Sequence, residues 1–389
     1  MSIASASAVP LARIHGAGPT GLLTALALAD AGWQVTVVDP LEPAGLINRS
    51  RAYAFTHSSR NLLERLKLWD AAQSLLVPFR HLELVDLSLR EQVPFGLDDL
   101  PGRLARAPGS AVGWIGQHRA LMALLLERAE ADEAIRLLLG PREVAGETLE
   151  LPEPDLVVAA DGPRSPTRAA LGIGVAQWPY SQCCLTAQLE LRGTDPDQAW
   201  ELFRAEGPFA LLPLGGRQVQ VVWSAPEPRC RHLENLDAAA FLDALAGVLP
   251  RRFQPDLLLD QQRAFPLQLL VARRLSRGRT VLVGEAAHRC HPVGGQGLNL
   301  CWRDVAVLHR LAARVVAHNL PASHLPAAYG QRRWPDLLIT LTSTHLMVKL
   351  FSNRSPWLLP LRRRLLQLLR RSAPMRRLSL MAMTIGLPT

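Results

Sequence analysis

A cluster of glycines near the N-terminus has the spacing of a loop that binds phosphate. The glycines are Gly16, Gly18 and Gly21. They precede a predicted helix over residues 22–31, and Asp39 ends the predicted strand that follows, 18 residues after the last glycine. Glycines at these positions allow a tight turn, close approach of the backbone to a pyrophosphate and close packing of helix on strand, while the acid can bind a ribose hydroxyl. The pattern predicts a dinucleotide site for FAD or NAD.

A second glycine cluster spans residues 284–299, between a predicted strand over 280–283 and a predicted helix over 300–308. Glu285, at the end of the strand, carries a carboxylate that can hold sugar-like hydroxyls. Glycines at the start of a helix leave backbone N–H groups free, and these groups point at whatever negative charge lies above them. A reduced flavin carries such a charge on the pyrimidine edge of its ring, so the cluster indicates a flavin site.

A third segment, residues 155–168, reads as a buried strand that ends in an Asp-Gly turn at Asp161 and Gly162. By itself, Asp-Gly is only a turn signal. In this order along the chain, the three segments resemble the aromatic-ring flavoprotein monooxygenases. In that family the middle motif is Ala-Asp-Gly-x-x-Ser-x-x-Arg, and the second FAD motif usually begins Gly-Asp-Ala-Ala-His. One departure is Glu285, which stands where the family has Asp.

Further segments narrow the resemblance to the ubiquinone-biosynthesis hydroxylases. They are residues 49–69, 209–214, 221–224, 265–267, 329–336 and 350–352. The resemblance runs nearly end to end and implies an α/β fold. It comprises a Rossmann-like FAD-binding domain (a parallel sheet with helices), an inserted antiparallel-sheet substrate domain and a C-terminal helical region. The resemblance also implies that NADPH or NADH transiently reduces FAD, that O2 then gives a C4a-hydroperoxide, and that the ring of a polyprenylated phenol is hydroxylated.

The predicted domains are discontinuous. The FAD-binding domain comprises residues 1–80, 106–175 and 278–336, the substrate domain comprises residues 81–105 and 176–277, and the basic helical region comprises residues 337–389. The hydrophobic pattern predicts strands over 81–89, 183–191, 208–213 and 218–224, and helices over 119–131 and 236–249. We expect these strands to form a second sheet that covers the flavin ring, with the later helix on its outer face.

The resemblance also implies which residues contact the cofactor. They are Gly16, Gly18, Gly21, Asp39, Arg51, Gln117, Arg119, Asp161, Gly162, Gly284, Glu285, Pro292, Gly295, Gln296, Gly297, Leu298 and Asn299. Arg51 would pair with the pyrophosphate, since a guanidinium can bind two phosphate oxygens at once. Residues 294–299 would direct N–H groups at the pyrimidine edge, and Pro292, Gly295 and Gln296 would lie beside the flavin ring. Because the flavin carries the reaction, no catalytic side chain is assigned.

The substrate contacts are predicted on the sheet that covers the flavin. Phe209, Leu211, Pro213 and Trp223 lie on this presumed roof and are apolar enough to bind an aromatic ring. Ordinary packing inside the sheet is the alternative interpretation for each of them. No residue of the sequence stands out as a general base for the phenol.

Two histidines raise the question of a metal. His288 and His291 flank Cys290, a spacing compatible with zinc, but no second Cys/His pair accompanies them. The pattern favours packed or flavin-flanking histidines, and no metal site is predicted.

Positive charge is concentrated at the C-terminus. The net charge is +9, from 43 Lys and Arg against 34 Asp and Glu. Nine basic residues and no acidic residue follow Asp336, so residues 1–336 carry 34 charges of each sign. Residues 357–371 alternate apolar and basic side chains at helical spacing. Three interpretations stay open: an amphipathic helix on an anionic membrane, a nucleic-acid patch, or a helix packed on the flavin domain with solvated or paired arginines. The lack of interleaved aromatics disfavours nucleic acid.

Composition bounds the location and the partners. Apolar residues make up 48% of the chain, so a sizeable core can form. The sequence contains no run of about 18 apolar residues, so it predicts no membrane-spanning helix. Its N-terminus lacks the basic start and the apolar core of a signal peptide. Five cysteines without a Cys-x-x-Cys pair fit a reducing cytoplasm. We expect a cytoplasmic protein, and peripheral contact at the inner face of the membrane stays open as one of the interpretations of the basic region. Its expected partners are O2, an aromatic substrate and a quinone-synthesis complex.

Three other functions stay open. A prenyl reductase or halogenase could use the same fold, although the sequence contains no Trp-x-Trp-x-Ile-Pro, as a halogenase would. A flavin-binding scaffold without turnover is the second alternative, because Glu285 replaces the usual Asp. The third is a hydroxylase of small phenols. The sequence does not specify the ring carbon, the quinone, NADPH over NADH, or the oligomeric state.

Overall fold

The computed structural model describes residues 9–141, 151–353 and 355–386. Its strands are β1 (Leu11–His15), β2 (Gln34–Asp39), β3 (Ala52–Phe55), β4 (Leu76–Phe79), β5 (His81–Asp86), β6 (Glu91–Phe95), β7 (Gly113–Gln117), β8 (Ile135–Leu139), β9 (Leu156–Ala159), β10 (Val175–Arg192), β11 (Gln198–Arg204), β12 (Gly207–Gly215), β13 (Gln218–Pro226), β14 (Gln254–Leu258), β15 (Arg263–Ala272), β16 (Ser276–Arg277), β17 (Thr280–Leu282) and β18 (His288–Arg289). Its α-helices are α1 (Pro19–Asp30), α2 (Pro43–Ile47), α3 (His57–Arg65), α4 (Trp69–Gln73), α5 (Gly102–Ala105), α6 (His118–Glu130), α7 (Pro166–Ala170), α8 (Glu227–Glu234), α9 (Ala238–Ala246), α10 (Gln296–Val316), α11 (Leu325–Phe351), α12 (Leu359–Arg371) and α13 (Ala373–Thr384). Short 3-10 turns cover Leu97–Asp99, Gly284–Ala286, Val293–Gly295, Ala322–His324 and Pro356–Leu358.

The first sheet is Rossmann-like. Its strands lie in the order β16-β17-β9-β1-β2-β8, and neighbours are parallel except for the antiparallel pair β16 and β17. Helix α1 contacts both α6 and α10. Strands of a parallel sheet under helices are buried on both faces, which explains the nearly continuous apolar runs of β1, β2 and β9. The predicted fold class and the predicted helices over 22–31 and 119–131 are confirmed.

The second sheet is mostly antiparallel. Its strands lie in the order β18-β15-β10-β13-β12-β11-β5-β6, with β14 paired to β10. The parallel neighbours β11 and β5 are the exception, and they join the segment of residues 81–105 to this sheet. Strand β18 pairs with β15 through Leu270 and Arg289, so the second glycine cluster contributes a strand to this sheet. Residues 278–336 are therefore not confined to the flavin domain. A small third sheet joins β3, β7 and β4.

Helices α8 and α9 cover one face of the substrate sheet, here called the outer face. Phe241 and Leu245 of α9 are fully buried in one cluster with Trp200 and Trp223 of the sheet. Helix α9 begins at Asp237, whose side chain accepts the N–H of Ala240. This cap explains why the helix starts after residue 236, the predicted start. The opposite face, here called the inner face, is turned toward the second glycine cluster.

The predicted boundary at residue 336 lies within a single helix. Helix α11 runs without interruption through Pro335, so residues on both sides of the boundary belong to one element. Pro335 lacks an N–H and usually ends or kinks a helix in sequence-based reasoning. Here the helix stays continuous because its first half contacts α10 and the strand hairpin β16–β17, while Val348 and Phe351 of its second half enter the cluster beneath the inner face.

The C-terminal helices pack on the substrate sheet and reach the second glycine cluster. Helix α12 contacts β6, and α13 contacts the turn at Leu97–Asp99. The fully buried Arg362 forms an ion pair with Asp86, and Arg376 donates to Asp99 at 2.9 Å. Two arginines of this region are thus paired, as the packed-helix interpretation has it, and the helices also contact the substrate sheet. Within the described residues, every helix is too short or too polar to cross a lipid bilayer.

Candidate active site

Three glycines form the first glycine turn. Two of them leave no room for a side chain, and the third does. Gly16 has φ +104°, and a Cβ there would lie 2.4 Å from the carbonyl oxygen of Ala160. A Cβ on Gly21 would lie 1.8 Å from the carbonyl oxygen of Gly16. A Cβ on Gly18 would meet no atom within 4 Å. The space above Gly18 is therefore open to a ligand, as a pyrophosphate that approaches the backbone requires.

The N-terminus of α1 opens onto this space. Gly18 is the residue before the helix, and no side chain caps its N–H groups. Uncapped N–H groups at a helix start carry a partial positive charge and bind phosphate oxygens. Asp39 lies beside the turn, where its carboxylate accepts the N–H of Ala17 at 2.7 Å and the N–H of Leu41 at 2.8 Å. The structure therefore brings the predicted ribose acid and the glycine turn together.

The middle motif provides an unsatisfied acceptor. One oxygen of Asp161 accepts the N–H of Thr167 at 3.0 Å, while its other oxygen, Oδ1, is buried and has no hydrogen-bond partner among the described residues. The neighbouring Gly162 has φ +84°, and a Cβ there would meet no atom within 4 Å. A buried acceptor without a partner costs free energy unless a ligand satisfies it. Both features fit a bound cofactor.

The second glycine cluster leads into α10 through left-handed residues. Gly294 and Gly295 have φ +68° and +63°, which favours glycine, and Gly295 directly precedes the helix. No side chain caps this helix start. The first residues of a helix have free N–H groups, and the fourth is the first whose N–H meets an intrahelical acceptor. Gln296, Gly297 and Leu298 therefore offer their N–H groups to a flavin.

The side chain of Asn299 is held by hydrogen bonds to neighbouring protein groups. Its amide oxygen accepts from the N–H of Thr56 at 2.9 Å and from the hydroxyl of Ser59 at 2.6 Å. Its amide nitrogen donates to the carbonyl oxygens of Ala54 and Gly295, each at 2.8 Å. As the fourth residue of α10, its N–H is turned into the helix. The side chain of Asn299 holds the loop against β3, and the contact of its N–H with the flavin stays a prediction.

The side chain of Gln296 ties the loop to the C-terminus. Its amide nitrogen donates to the carbonyl oxygens of Gly294 and Met383, each at 3.0 Å. Met383 belongs to α13, so the end of the C-terminal helical region lies over the loop that begins at Pro292. The position of Pro292 beside the flavin ring stays a prediction.

A buried charge network holds the second motif in place. Asp304 of α10 accepts the N–H of Gly284 at 2.8 Å, His288 at 2.7 Å and Arg333 at 2.7 Å. Arg333 also donates to Asp336 at 2.6 Å. Burial by itself would raise the pKa of Asp304, but His288 and Arg333 outweigh it and hold that pKa below the usual value. Asp304 thus carries its negative charge and fixes the loop to two helices.

Glu285 and Arg51 lie at the junction of the two sheets. The Glu285 side chain is 41% exposed and lies 3.6 Å from Arg289, so its carboxylate is free to reach a ligand. The Arg51 guanidinium lies 5.8 Å from the ring centre of Tyr53 and 5.5 Å from that of Phe265 on the substrate sheet. Burial opposes the charge of Arg51, yet Tyr53 and Glu285 raise its pKa. Its pairing with pyrophosphate stays a prediction.

Gln117 and Arg119 lie where β7 passes into α6. Gln117 ends the strand and precedes the helix, and its side chain is exposed. The Arg119 guanidinium donates to the Asn48 side chain at 2.9 Å. Neither contact shows a role toward the cofactor, so both assignments stay predictions.

The four predicted substrate residues lie on the outer face of the substrate sheet. Phe209, Leu211 and Trp223 are buried in the cluster that contains Phe241 and Leu245. Pro213 lies two residues after Leu211 on β12 and therefore on the same face, and it pairs with Val219 of that cluster. Successive residues of a strand point to opposite faces, so an error of one position exchanges core and site. These residues therefore have the packing of the alternative interpretation, and their contact with the substrate stays a prediction.

The inner face bears a different set of residues. Leu212, Val222 and Glu201 are half-buried, whereas their outer-face neighbours are buried, and Phe265 is half-buried as well. Leu212 belongs to a cluster with Val293 of the second glycine cluster. The Oε2 atom of Glu201 accepts the N–H of Gly294 at 3.5 Å. This accessible, mostly apolar face is turned toward the flavin motif. The sequence did not reveal this face because both the odd-numbered and the even-numbered residues of 209–214 are apolar. The usual alternation of apolar and polar side chains along a strand is therefore absent.

The two histidines of the second motif are packed. The ring of His288 is 2.7 Å from Asp304, and the Nδ1 atom of His291 accepts the N–H of Val293 at 3.2 Å. Burial lowers the pKa of His291 to about 3, so this ring is neutral. Within the described residues, no group of three or more metal-ligating side chains comes together.

Comparison with known proteins agrees with this geometry. The model of the FAD binding domain family matches residues 9–138 and 141–335. The 3-demethoxyubiquinol 3-hydroxylase of Escherichia coli (strain K12) is 31% identical over 361 residues, which covers 88% of this chain and 90% of that protein. A ubiquinone hydroxylase of Rhodospirillum rubrum is 32% identical and covers 90% of this chain and 83% of that protein.

A solved structure shows the same fold. The p-nitrophenol 4-monooxygenase of Pseudomonas putida DLL-E4 superposes with a TM-score of 0.75 at 18% identity, which covers 98% of this chain and 99% of that chain. The open space above Gly18, the unsatisfied Asp161 oxygen and the uncapped starts of α1 and α10 all fit FAD. The chain therefore belongs to the FAD binding domain family and, within it, to the ubiquinone-biosynthesis hydroxylases, which are FAD-dependent aromatic-ring monooxygenases with NADPH or NADH as transient reductant.

Proposed function

We propose that this enzyme hydroxylates the aromatic ring of a polyprenylated phenol in the synthesis of a ubiquinone-type quinone. The observation that carries the proposal is the accessible inner face of the substrate sheet. Leu212, Val222 and Phe265 make this face apolar, and Val293 of the flavin motif packs against it. An apolar surface beside the flavin suits a ring with a hydrocarbon tail, because each buried CH2 group contributes about 0.8 kcal/mol.

The protein's own residues bind, orient and exclude water. The N–H groups of α1 would hold the pyrophosphate, Asp39 the ribose, and the N–H groups of Gln296, Gly297 and Leu298 the pyrimidine edge. Bound FAD, reduced by NADPH or NADH, supplies an activated oxygen atom from O2. One atom of O2 enters the ring as hydroxyl and the other leaves as water. The inner face would hold the ring so that a carbon ortho or para to the phenol oxygen meets that atom.

A direct test uses the purified, FAD-loaded protein and two phenols that differ only in one prenyl unit. We expect product formation coupled to NADPH oxidation, with kcat/KM at least tenfold higher for the prenylated phenol, since about 1.4 kcal/mol of tail burial suffices for that factor. Equal kcat/KM values would indicate a hydroxylase of small phenols. Rapid FAD reduction without any hydroxylated product would contradict the proposal, and no NADPH oxidation would indicate a scaffold.

A quinone profile of a deletion strain provides the cellular test. We expect a prenylated phenol to accumulate that is one oxygen short of the next intermediate, and this compound identifies the ring carbon. An unchanged profile would place the substrate outside quinone synthesis. Assembly with other quinone-synthesis proteins stays a prediction.

We also propose that the enzyme binds peripherally to an anionic membrane. The C-terminal helical region presents apolar side chains to solvent: Trp357 is 88% exposed, Leu361 55% and Leu368 48%. In α12, Leu361 and Leu368 lie seven residues apart and thus on one stripe, while Arg362 and Leu366 face the substrate sheet. An exposed apolar stripe of this kind is costly in water, so a lipid surface is its natural cover.

Exposed arginines flank this stripe. They are Arg363, Arg364 and Arg371. Basic residues near an anionic bilayer contribute about 1 kcal/mol each, and arginine side chains place their charge among the headgroups. Since a polyprenylated phenol resides in the bilayer, this contact would bring enzyme and substrate together.

Vesicle flotation tests this contact. The full chain should float with vesicles of phosphatidylcholine and phosphatidylglycerol, and much less with phosphatidylcholine alone. The variant Trp357→Ser/Leu361→Ser should lose flotation. Trp178 of β10 is also exposed (51%) and lies far in the sequence from the C-terminal helical region. Trp178→Ser therefore serves as the matched control. Equal flotation of the two variants would contradict the proposal.

A further inference from the structure

Glu201 is an acidic side chain in an unusual place. It lies in the middle of β11, where its in-register neighbours are Ala210 of β12 and Leu84 of β5. It belongs to the inner face, together with Leu212, and its side chain keeps some accessible surface. Within the described residues it forms no ion pair. A carboxyl group among apolar neighbours without a cation is expensive to keep and is therefore typical of functional sites.

The surroundings of Glu201 determine its titration. Its carboxylate accepts the Gly294 N–H, a neutral donor, at 3.5 Å. Burial raises the pKa of Glu201 to about 7, and the Gly294 hydrogen bond opposes this rise only in part. Such a carboxyl gains and loses a proton near neutral pH, as a general base must.

Its location is also suited to the reaction. Gly294 directly precedes Gly295 and α10, whose N–H groups face the flavin pyrimidine edge in the proposed complex. Glu201 thus lies where the substrate face and the flavin loop meet. We propose that the Glu201 carboxylate is the catalytic base that takes the phenolic proton of the substrate, an inference that rests on the proposed hydroxylation of a phenol.

The proton balance of the step is simple. The phenolic O–H bond breaks, its electron pair stays on the phenol oxygen, and the proton passes to a carboxylate oxygen of Glu201. The resulting phenolate is richer in electrons at its ortho and para carbons and reacts faster with an electrophilic oxygen atom. After hydroxylation the ring carbon loses its hydrogen as a proton, and Glu201 releases its own proton to water once the product leaves.

The test compares a phenol that is neutral at the working pH with a polyfluorinated phenol that is already ionised. Glu201→Gln keeps an oxygen that can accept the Gly294 N–H but cannot take a proton. We expect FAD content to be unchanged and hydroxylation of the neutral phenol to fall at least tenfold, since general bases contribute about 10² to 10⁴. Hydroxylation of the ionised phenol should be close to that of the wild type.

The pH profile supplies a second reading. Wild-type hydroxylation of the neutral phenol should rise with pH through about 7, where the carboxylate forms, and this limb should vanish in Glu201→Gln. Glu201→Asp retains a carboxylate and should retain the limb at a lower rate. Glu190→Gln, on exposed β10 surface beside Arg217, is the matched control and should behave as the wild type.

Three results would overturn the inference. If Glu201→Gln kept the wild-type rate and the rise of that rate with pH, Glu201 would only link the sheet to the loop. An equal loss on both phenols would show that it positions the substrate without taking a proton. Hydroxylation of neither phenol by the wild type would overturn the proposed function itself, and the base role with it.

Discussion

The two faces of the substrate sheet consist of alternate residues of the same strands, yet they differ in what surrounds them. On the outer face, Leu211 and Trp223 are packed by α8 and α9 and are almost inaccessible. On the inner face, Leu212 and Val222 keep accessible surface beside the flavin motif. Apolar side chains occur both on a substrate surface and in a core, so apolar character does not tell the two apart. Empty space beside the side chain does.

The same contrast recurs elsewhere in the chain. Gly21 has protein atoms where a side chain would be, and Gly18 has none. Arg362 is enclosed with Asp86, and Arg364 is exposed. Positions that protein already fills should respond to mutation through stability, and open positions should respond through ligand binding.

The largest effect is expected in the glycine turn. Gly21→Ala places a Cβ 1.8 Å from a backbone oxygen, so we expect little folded protein and no FAD. Gly18→Ala should fold with a near-normal melting temperature but lose FAD, because its methyl group occupies the space for pyrophosphate. Flavin absorbance per protein and thermal unfolding measure both. A stable Gly21→Ala protein that retains FAD would contradict the distinction between filled and open glycine positions.

The next effect concerns the two arginines of α12. Arg362→Met leaves Asp86 buried without its cation, and we expect a loss of about 3–5 kcal/mol in the free energy of unfolding. Arg364→Met lies at an exposed position and should change stability by less than about 0.5 kcal/mol. Denaturant titration of both variants provides the measurement, and similar midpoints would contradict the assigned packing of α12.

A third pair lies on one strand. Leu211→Ala empties a filled position and should cost about 2–5 kcal/mol, with little change of KM in the protein that remains folded. Leu212→Ala should cost about 1 kcal/mol or less and raise KM for the prenylated phenol by a few fold. Unfolding curves and steady-state kinetics separate the two. A KM effect confined to Leu211→Ala would support the substrate assignment made from the sequence.

The smallest effect concerns the pH dependence of stability. The pKa of Glu201 is raised to about 7 in the folded protein from an ordinary value of 4.5. The folded state therefore binds more protons between these values, and wild-type stability falls as pH rises through this window. Glu201→Gln cannot ionise, so we expect it to gain stability relative to the wild type at pH 8 but not at pH 5. A constant difference at both pH values would contradict the burial of this carboxyl.

Much of the flavin side could be predicted from the sequence. The order strand, glycine turn, helix, strand and acid is local, and each part depends on residues close in the chain. The structure confirms the strand before the turn at Gly284 and the helix that follows. The exact start of α10 decides which N–H groups stay free, and a shift of one residue changes whether the N–H of Asn299 is among them.

The substrate side could be predicted only in outline. The strands over 183–191, 208–213 and 218–224 are confirmed as β10, β12 and β13. Which face meets the flavin was not readable, since both parities of residues 209–214 are apolar. Glu201 also escaped, because a lone acid in a strand usually indicates a solvated edge. Its burial depends on β5, which enters the sheet from a segment more than 100 residues earlier in the chain.

By itself, the sequence determined the cofactor class, the Rossmann-like layer, the family and the excess of positive charge at the C-terminus. These properties follow from local spacing and from composition, which do not change on folding. The tertiary structure decided which face of the substrate sheet stays open, which arginines of the C-terminal region are paired with Asp86 and Asp99, and where a lone carboxyl meets the flavin loop. These properties depend on contacts between distant segments, and only packing settles whether the space beside a side chain is filled or empty.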